Sequence, residues 1–72
     1  MNMEFDKYEN RKRIGRMLAS LRNERGMTVR ELAEKAGVSY PNISSIENGR
    51  YNVSIDILGK ILFALSAEIE VR

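Results

Sequence analysis

Residues 39–51, SYPNISSIENGRY, gather the side chains in this chain best suited to directional recognition. Serine hydroxyls, amide groups, two phenols and one guanidinium lie within 13 positions. Such groups donate and accept hydrogen bonds, but none of them is a ready nucleophile or general base. The chain has no histidine and no cysteine. That removes imidazole acid–base chemistry, thiolate metal sites and disulfides. No catalytic set, metal site or cofactor is expected, and the reading is of a binding protein rather than an enzyme.

Two apolar runs frame this segment. Leu32, Ala33 and Ala36 make a narrow face before it, and Ile43 and Ile46 make another within it. Only Gly37-Val38-Ser39 separates the runs, which predicts two short helices meeting at a tight corner. Ala33 must be small where the helices cross. Gly37 supplies a turn angle that a β-carbon would hinder. Val38, Ile43 and Ile46 seal the corner from behind.

The flanking elements are set by periodicity and capping. Residues 1–10 are read as an N-terminal arm, frayed or adding a helical turn to the first helix. Residues 11–25 form helix 1, with Ile14, Met17, Leu18 and Leu21 inward and Gly26 at its end. Thr28 and Glu31 make a capping box that opens helix 2. Ser39 caps helix 3, over residues 40–48, and Pro41 falls in the first turn, where its missing N–H costs no intrahelical bond. The residue before a proline resists helical angles, so Tyr40 is the competing cap. Ser54 caps helix 4, whose apolar positions are Ile55, Leu58, Ile61, Leu62 and Leu65. Residues 11–66 thus make one domain.

In residues 67–72 the period changes to two. Ala67, Ile69 and Val71 alternate with charged residues, a strand pattern. A lone strand leaves its backbone groups unpaired. Ile69 and Val71 are therefore assigned to antiparallel pairing with the same tail of a second copy, which would make the chain a homodimer; the alternative is an extension of helix 4 or a frayed end.

At 72 residues and a net charge of +2, charge distribution is more informative than its sum. Between Lys7 and Arg30 stand eight basic residues against two acids. A basic front half suits a polyanion, although a charge run alone is more often a solvated surface. No run of 18 apolar residues exists, so no membrane span is expected. The polar, charged start is unlike a signal peptide, and a cytoplasmic location is expected. The outer face of helix 3 carries Tyr40, Pro41, Asn42, Ser44 and Ser45. Most of these are compact enough to enter a DNA major groove.

The motifs IGRMLASLRNERGMT, ELAEKAGVS, NISSIENGR and SIDILGKILFALS occur in that order. Together they resemble the lambda-repressor and Cro-like helix-turn-helix family, also called the Xre family, over about residues 14–66. The resemblance implies an all-α bundle of four or five helices, a sequence-specific DNA-binding transcription regulator, and double-stranded DNA as partner. It implies a dimeric repressor of bacterial or phage type, associated with the nucleoid. Base contacts carry over to Ser39, Tyr40, Pro41, Asn42, Ser44 and Ser45. Phosphate contacts carry over to Thr28, Arg30, Asn48, Arg50 and Tyr51. Arg22 and Glu47 match a structural salt bridge, with Ala33 and Gly37 structural beside them.

Two positions depart from the family pattern. Val29 stands where glutamine often clamps a phosphate and braces helix 3. Val53 stands where proline is common. The tail resembles that of HipB-type antitoxins, so the alternative reading is an interaction module whose main partner is a protein such as a toxin. Against it, only Tyr40 and Pro41 offer apolar anchors on helix 3.

Overall fold

The computed structural model describes residues 4–67. Four helices succeed one another: α1 (Lys7–Glu24), α2 (Val29–Ala36), α3 (Tyr40–Glu47) and α4 (Ile55–Ala64). Helix α1 begins four residues before the predicted start. The cause is Asp6, whose Oδ1 accepts from the backbone N–H groups of Tyr8 (2.9 Å) and Glu9 (3.2 Å). Of the two expectations for the arm, the extra helical turn holds for residues 7–10.

The remaining caps fall where the residue types place them. Thr28 Oγ1 accepts from the Glu31 N–H while Glu31 Oε1 accepts from the Thr28 N–H, which completes the capping box. Ser39, not Tyr40, is the cap of α3, with its hydroxyl accepting from Asn42 N–H at 3.3 Å. Its ψ of 148° keeps the cap extended, and Pro41 sits inside the first turn. Gly37 takes a φ of 69°, the left-handed angle that turns α2 into α3 without a β-carbon penalty.

Helix α3 packs against α1 and α2, and α4 packs against α2. The core holds Leu18, Leu32, Ala33, Val38, Ile43, Ile46, Ile61, Ala64 and Leu65. The corner residues Ala33, Val38, Ile43 and Ile46 are thus all interior. Val29 and Val53 pack at the core margin. Two predicted core positions are instead outside. Met17 is exposed on α1, and Ile55 is exposed on α4. Both sit at the edge of the apolar stripe, where period alone does not decide burial.

Helix α4 ends in a left-handed Ser66 (φ 53°). The Ala67 N–H bonds the Leu62 carbonyl at 2.8 Å, and the Arg25 Nε donates to the Leu65 carbonyl. Ala67 therefore closes a helix. The rest of the predicted strand, with Ile69 and Val71, lies outside the described residues.

Candidate nucleic-acid interface

The candidate surface is the start and outer face of α3, and it is held from behind by three devices. Ile43 and Ile46 bury the inner face. Gly15 of α1 lets the two helices nearly touch: a β-carbon there would lie 2.6 Å from the Glu47 carbonyl oxygen and clash with that of Ile46. The third device is an ion pair. Arg22 Nε donates to Glu47 Oε2 at 2.7 Å and Arg22 Nη2 to Oε1 at 3.0 Å, a bidentate fork. The same guanidinium donates through Nη1 to the Met27 carbonyl at 2.7 Å. The pair is largely buried, with side-chain exposures of 13% and 9%. The bond to Glu47 raises the Arg22 pKa above its ordinary value, against a smaller opposing effect of burial. One side chain thus fixes the end of α1, the turn to α2 and the end of α3.

On the outer face, Ser39, Tyr40 and Pro41 are exposed, while Asn42, Ser44 and Ser45 are half-buried. The six occupy the cap and the first two turns of α3. Tyr40 is 44% exposed. The Arg30 guanidinium lies over its ring, 4.8 Å from the centroid. A cation–π contact of this kind contributes about 0.5–1 kcal/mol at an exposed site. Sequence spacing gave no sign of it, because the partners belong to different helices.

The expected phosphate positions divide. Arg50 and Tyr51 are exposed just past α3. The Arg50 N–H bonds the Ser45 carbonyl at 2.9 Å, which fixes the backbone from which its side chain leaves. Asn48 donates one Nδ2 hydrogen to the Ser44 carbonyl at 2.7 Å, which fixes its side chain and leaves the second N–H available. Thr28 has its N–H and one lone pair of its hydroxyl engaged by Glu31. The Glu31 carboxyl is held below its ordinary pKa, first by the Thr28 backbone N–H and then by the hydroxyl. Val29 faces the core margin, so the glutamine-type clamp has no counterpart there.

A family model described as Helix-turn-helix matches residues 18–69. The chain belongs to this helix-turn-helix family. It is similar to the transcriptional regulator SinR of Bacillus subtilis, 42% identical over 57 residues, which cover 78% of this chain and 51% of that protein. It is also similar to the immunity repressor of Bacillus phage phi105, 36% identical over 56 residues, covering 78% and 39%. Among solved structures, the restriction-modification controller protein C.AhdI from Aeromonas hydrophila superimposes with a TM-score of 0.84 at 30% identity, covering 85% of this chain and 92% of that one. The chain spans about half of SinR and about two fifths of the phage repressor. In helix-turn-helix terms, α2 and α3 are the paired helices, and α3 carries the exposed polar face.

Proposed function

We propose that this chain is a sequence-specific DNA-binding transcription regulator, acting as a dimeric repressor on a palindromic operator. The observation that carries the reading is the outer face of α3. Its small polar groups, from the exposed Ser39 to the half-buried Asn42, Ser44 and Ser45, sit on a helix braced by Arg22, Glu47 and Gly15. A rigid helix with compact side chains fits the major groove, where Ser39, Tyr40, Pro41, Asn42, Ser44 and Ser45 face base edges. Pro41 and the Tyr40 ring supply apolar contacts, such as that with a thymine methyl group. Arg50 and Tyr51 lie next to the phosphate path, and Arg30 adds a cation beside Tyr40. Affinity then falls steeply with salt, as released counterions require.

Regulation rather than catalysis is the reading of the same residues. The chain has neither histidine nor cysteine, and the relatives bear the names of regulators. Among the described residues no helix is long and apolar enough to cross a membrane, in keeping with a cytoplasmic site of action.

The test is selection from a pool of random duplexes, with sequencing of the bound fraction. The expected result is a palindrome with half-sites roughly 34 Å apart. Binding that is salt-sensitive but indifferent to sequence would overturn the base-reading role of α3.

A further inference from the structure

The first two turns of α1 have no part in the reading above, yet residues 7–13 carry four basic residues against one acid. These turns precede residues 18–69, the span that the family model matches. Residues 4–9 are all exposed, so the start of the helix stands off the core.

Two glycines fix where this start lies. Gly15 sits against the backbone of Ile46 and Glu47 at the end of α3. Gly49, just past that end, sits against Lys12: a β-carbon on Gly49 would fall 2.7 Å from Lys12 Cγ and 2.8 Å from its Cα. The side of α1 that faces α3 therefore runs on beyond α3, beside Gly49 and Arg50. At about 100° per residue, Lys7, Tyr8, Arg11 and Lys12 fall within an arc of roughly 140° centred near Gly15. Glu9 lies beyond the edge of that arc and pairs with Lys12 at 3.7 Å.

Tyr8 holds the cations together. Lys7 Nζ is 5.2 Å and Arg11 Cζ is 5.4 Å from the centroid of its ring. Two like charges at i and i+4 repel each other, and a ring attracted to both offsets part of that cost. A polyanion laid across the pair relieves the rest.

We infer that this face of α1 binds the sugar–phosphate backbone of the DNA beside the half-site, continuing the surface of Arg50 and Tyr51. The inference rests on DNA as the partner, but on no base contact by α3. Asp6 already occupies the backbone N–H groups of Tyr8 and Glu9, so side chains, not the helix terminus, meet the phosphates. From Lys12 back to Lys7 the patch runs about 8 Å along the helix axis. With one phosphate per roughly 3.4 Å of axis on each DNA strand, that is long enough for about two. Such contacts carry no sequence information, but they widen the footprint and fix the protein on the duplex.

The test measures duplex binding by the full chain against salt concentration, on the operator from the selection above and on a scrambled duplex. Lys7→Gln/Arg11→Gln is expected to keep the helical circular dichroism of the wild type, since neither side chain belongs to the core. At about 0.9 per phosphate, it is expected to lower the salt slope by about two and to weaken binding by roughly tenfold or more at about 0.1 M salt. Both duplexes are expected to lose alike, so their affinity ratio stays the same. Lys35→Gln/Lys60→Gln removes equal charge from exposed positions on α2 and α4 and is expected to leave the slope close to that of the wild type.

A wild-type slope in Lys7→Gln/Arg11→Gln, or a fall no greater than in Lys35→Gln/Lys60→Gln, would overturn the inference. An operator that is selected and then bound with an unchanged slope defeats only the α1 face. A slope lowered by about two in a protein that selects no operator defeats only the base reading by α3. A chain that binds no duplex at all defeats both.

Discussion

Arg22 and Glu47 are 25 positions apart in the chain, yet the guanidinium of one and the carboxylate of the other share two hydrogen bonds, at 2.7 and 3.0 Å. The pair sits where α1 ends and α3 ends. It therefore sets the angle of α3 to the rest of the fold, although neither residue is on the outer face of α3.

Removing one partner should leave the other charge largely buried and unpaired. For Glu47→Ala a loss of about 3 kcal/mol is expected, the lower end for buried pairs because some solvent reaches both groups. Arg22→Lys should lose most of the same energy, since an ammonium cannot make the fork and also reach the Met27 carbonyl. Urea unfolding measures both. A loss below about 0.5 kcal/mol in Glu47→Ala, the size typical of exposed pairs, would show that the pair does not fix α3.

Gly15→Ala tests the close approach of α1 to α3. On helix propensity alone it should stabilise by about 1 kcal/mol. The structure reverses the sign. The new β-carbon would fall 2.6 Å from the Glu47 carbonyl oxygen, and backbone, unlike a flexible side chain, cannot step aside cheaply. A net loss of about 1–3 kcal/mol is expected, as for other overpacked sites. A stabilised Gly15→Ala protein would place α1 farther from α3.

The helices, their caps and the corner were legible because each rests on local chemistry. Thr28 with Glu31, Ser39 before Pro41, and Ser54 are signals read within four residues. Arg22–Glu47 was reached through the family resemblance and not through spacing. What sequence missed is of another kind. Gly15 looks like any glycine in a helix until another backbone lies beside it. Arg30 and Tyr40 meet only because α2 and α3 cross. Met17 and Ile55 satisfy the apolar period and are still exposed, because the period fixes a direction within a turn but not the width of the covered face. Asp6 escapes a reading of the arm by composition, whereas one side chain at the right place starts the helix early.

Ser66 offers a gain in stability. It holds a φ of 53° at the end of α4, where its N–H bonds the Phe63 carbonyl. A residue with a β-carbon pays steric energy in that region, and glycine does not. Ser66→Gly should raise stability by about 0.5–1 kcal/mol, seen as a higher melting temperature. An unchanged or lower value would mean that Ser66 does not hold that angle in solution.

Glu31 gives the fold a defined response to acid. Its folded pKa lies below the ordinary one because its charged form accepts the Thr28 N–H. The stability it supplies is therefore present above the ordinary carboxylate pKa, and is lost as pH falls through the lower folded value. Glu31→Gln removes that titration. The difference in melting temperature between wild type and Glu31→Gln should be largest near neutral pH and shrink on acidification. A difference that is flat across the carboxylate range would remove the charge of Glu31 from the cap.

Ser45→Ala separates reading from folding. Ser45 lies on the outer side of α3, half-buried, and its backbone carbonyl, not its hydroxyl, holds the Arg50 N–H. Stability should stay within about 0.5 kcal/mol of the wild type. If the hydroxyl meets a base edge, operator affinity should fall by a factor of roughly five, near 1 kcal/mol, the low end for a single base contact. The loss should be confined to one base position of the half-site and leave the salt slope unchanged, because no phosphate contact is removed. Arg50→Gln should do the opposite. It should weaken binding to every sequence alike and lower the salt slope by about one. Equal binding by Ser45→Ala and wild type across all half-site variants would take Ser45 off the reading face and leave discrimination to Tyr40 and Ser44.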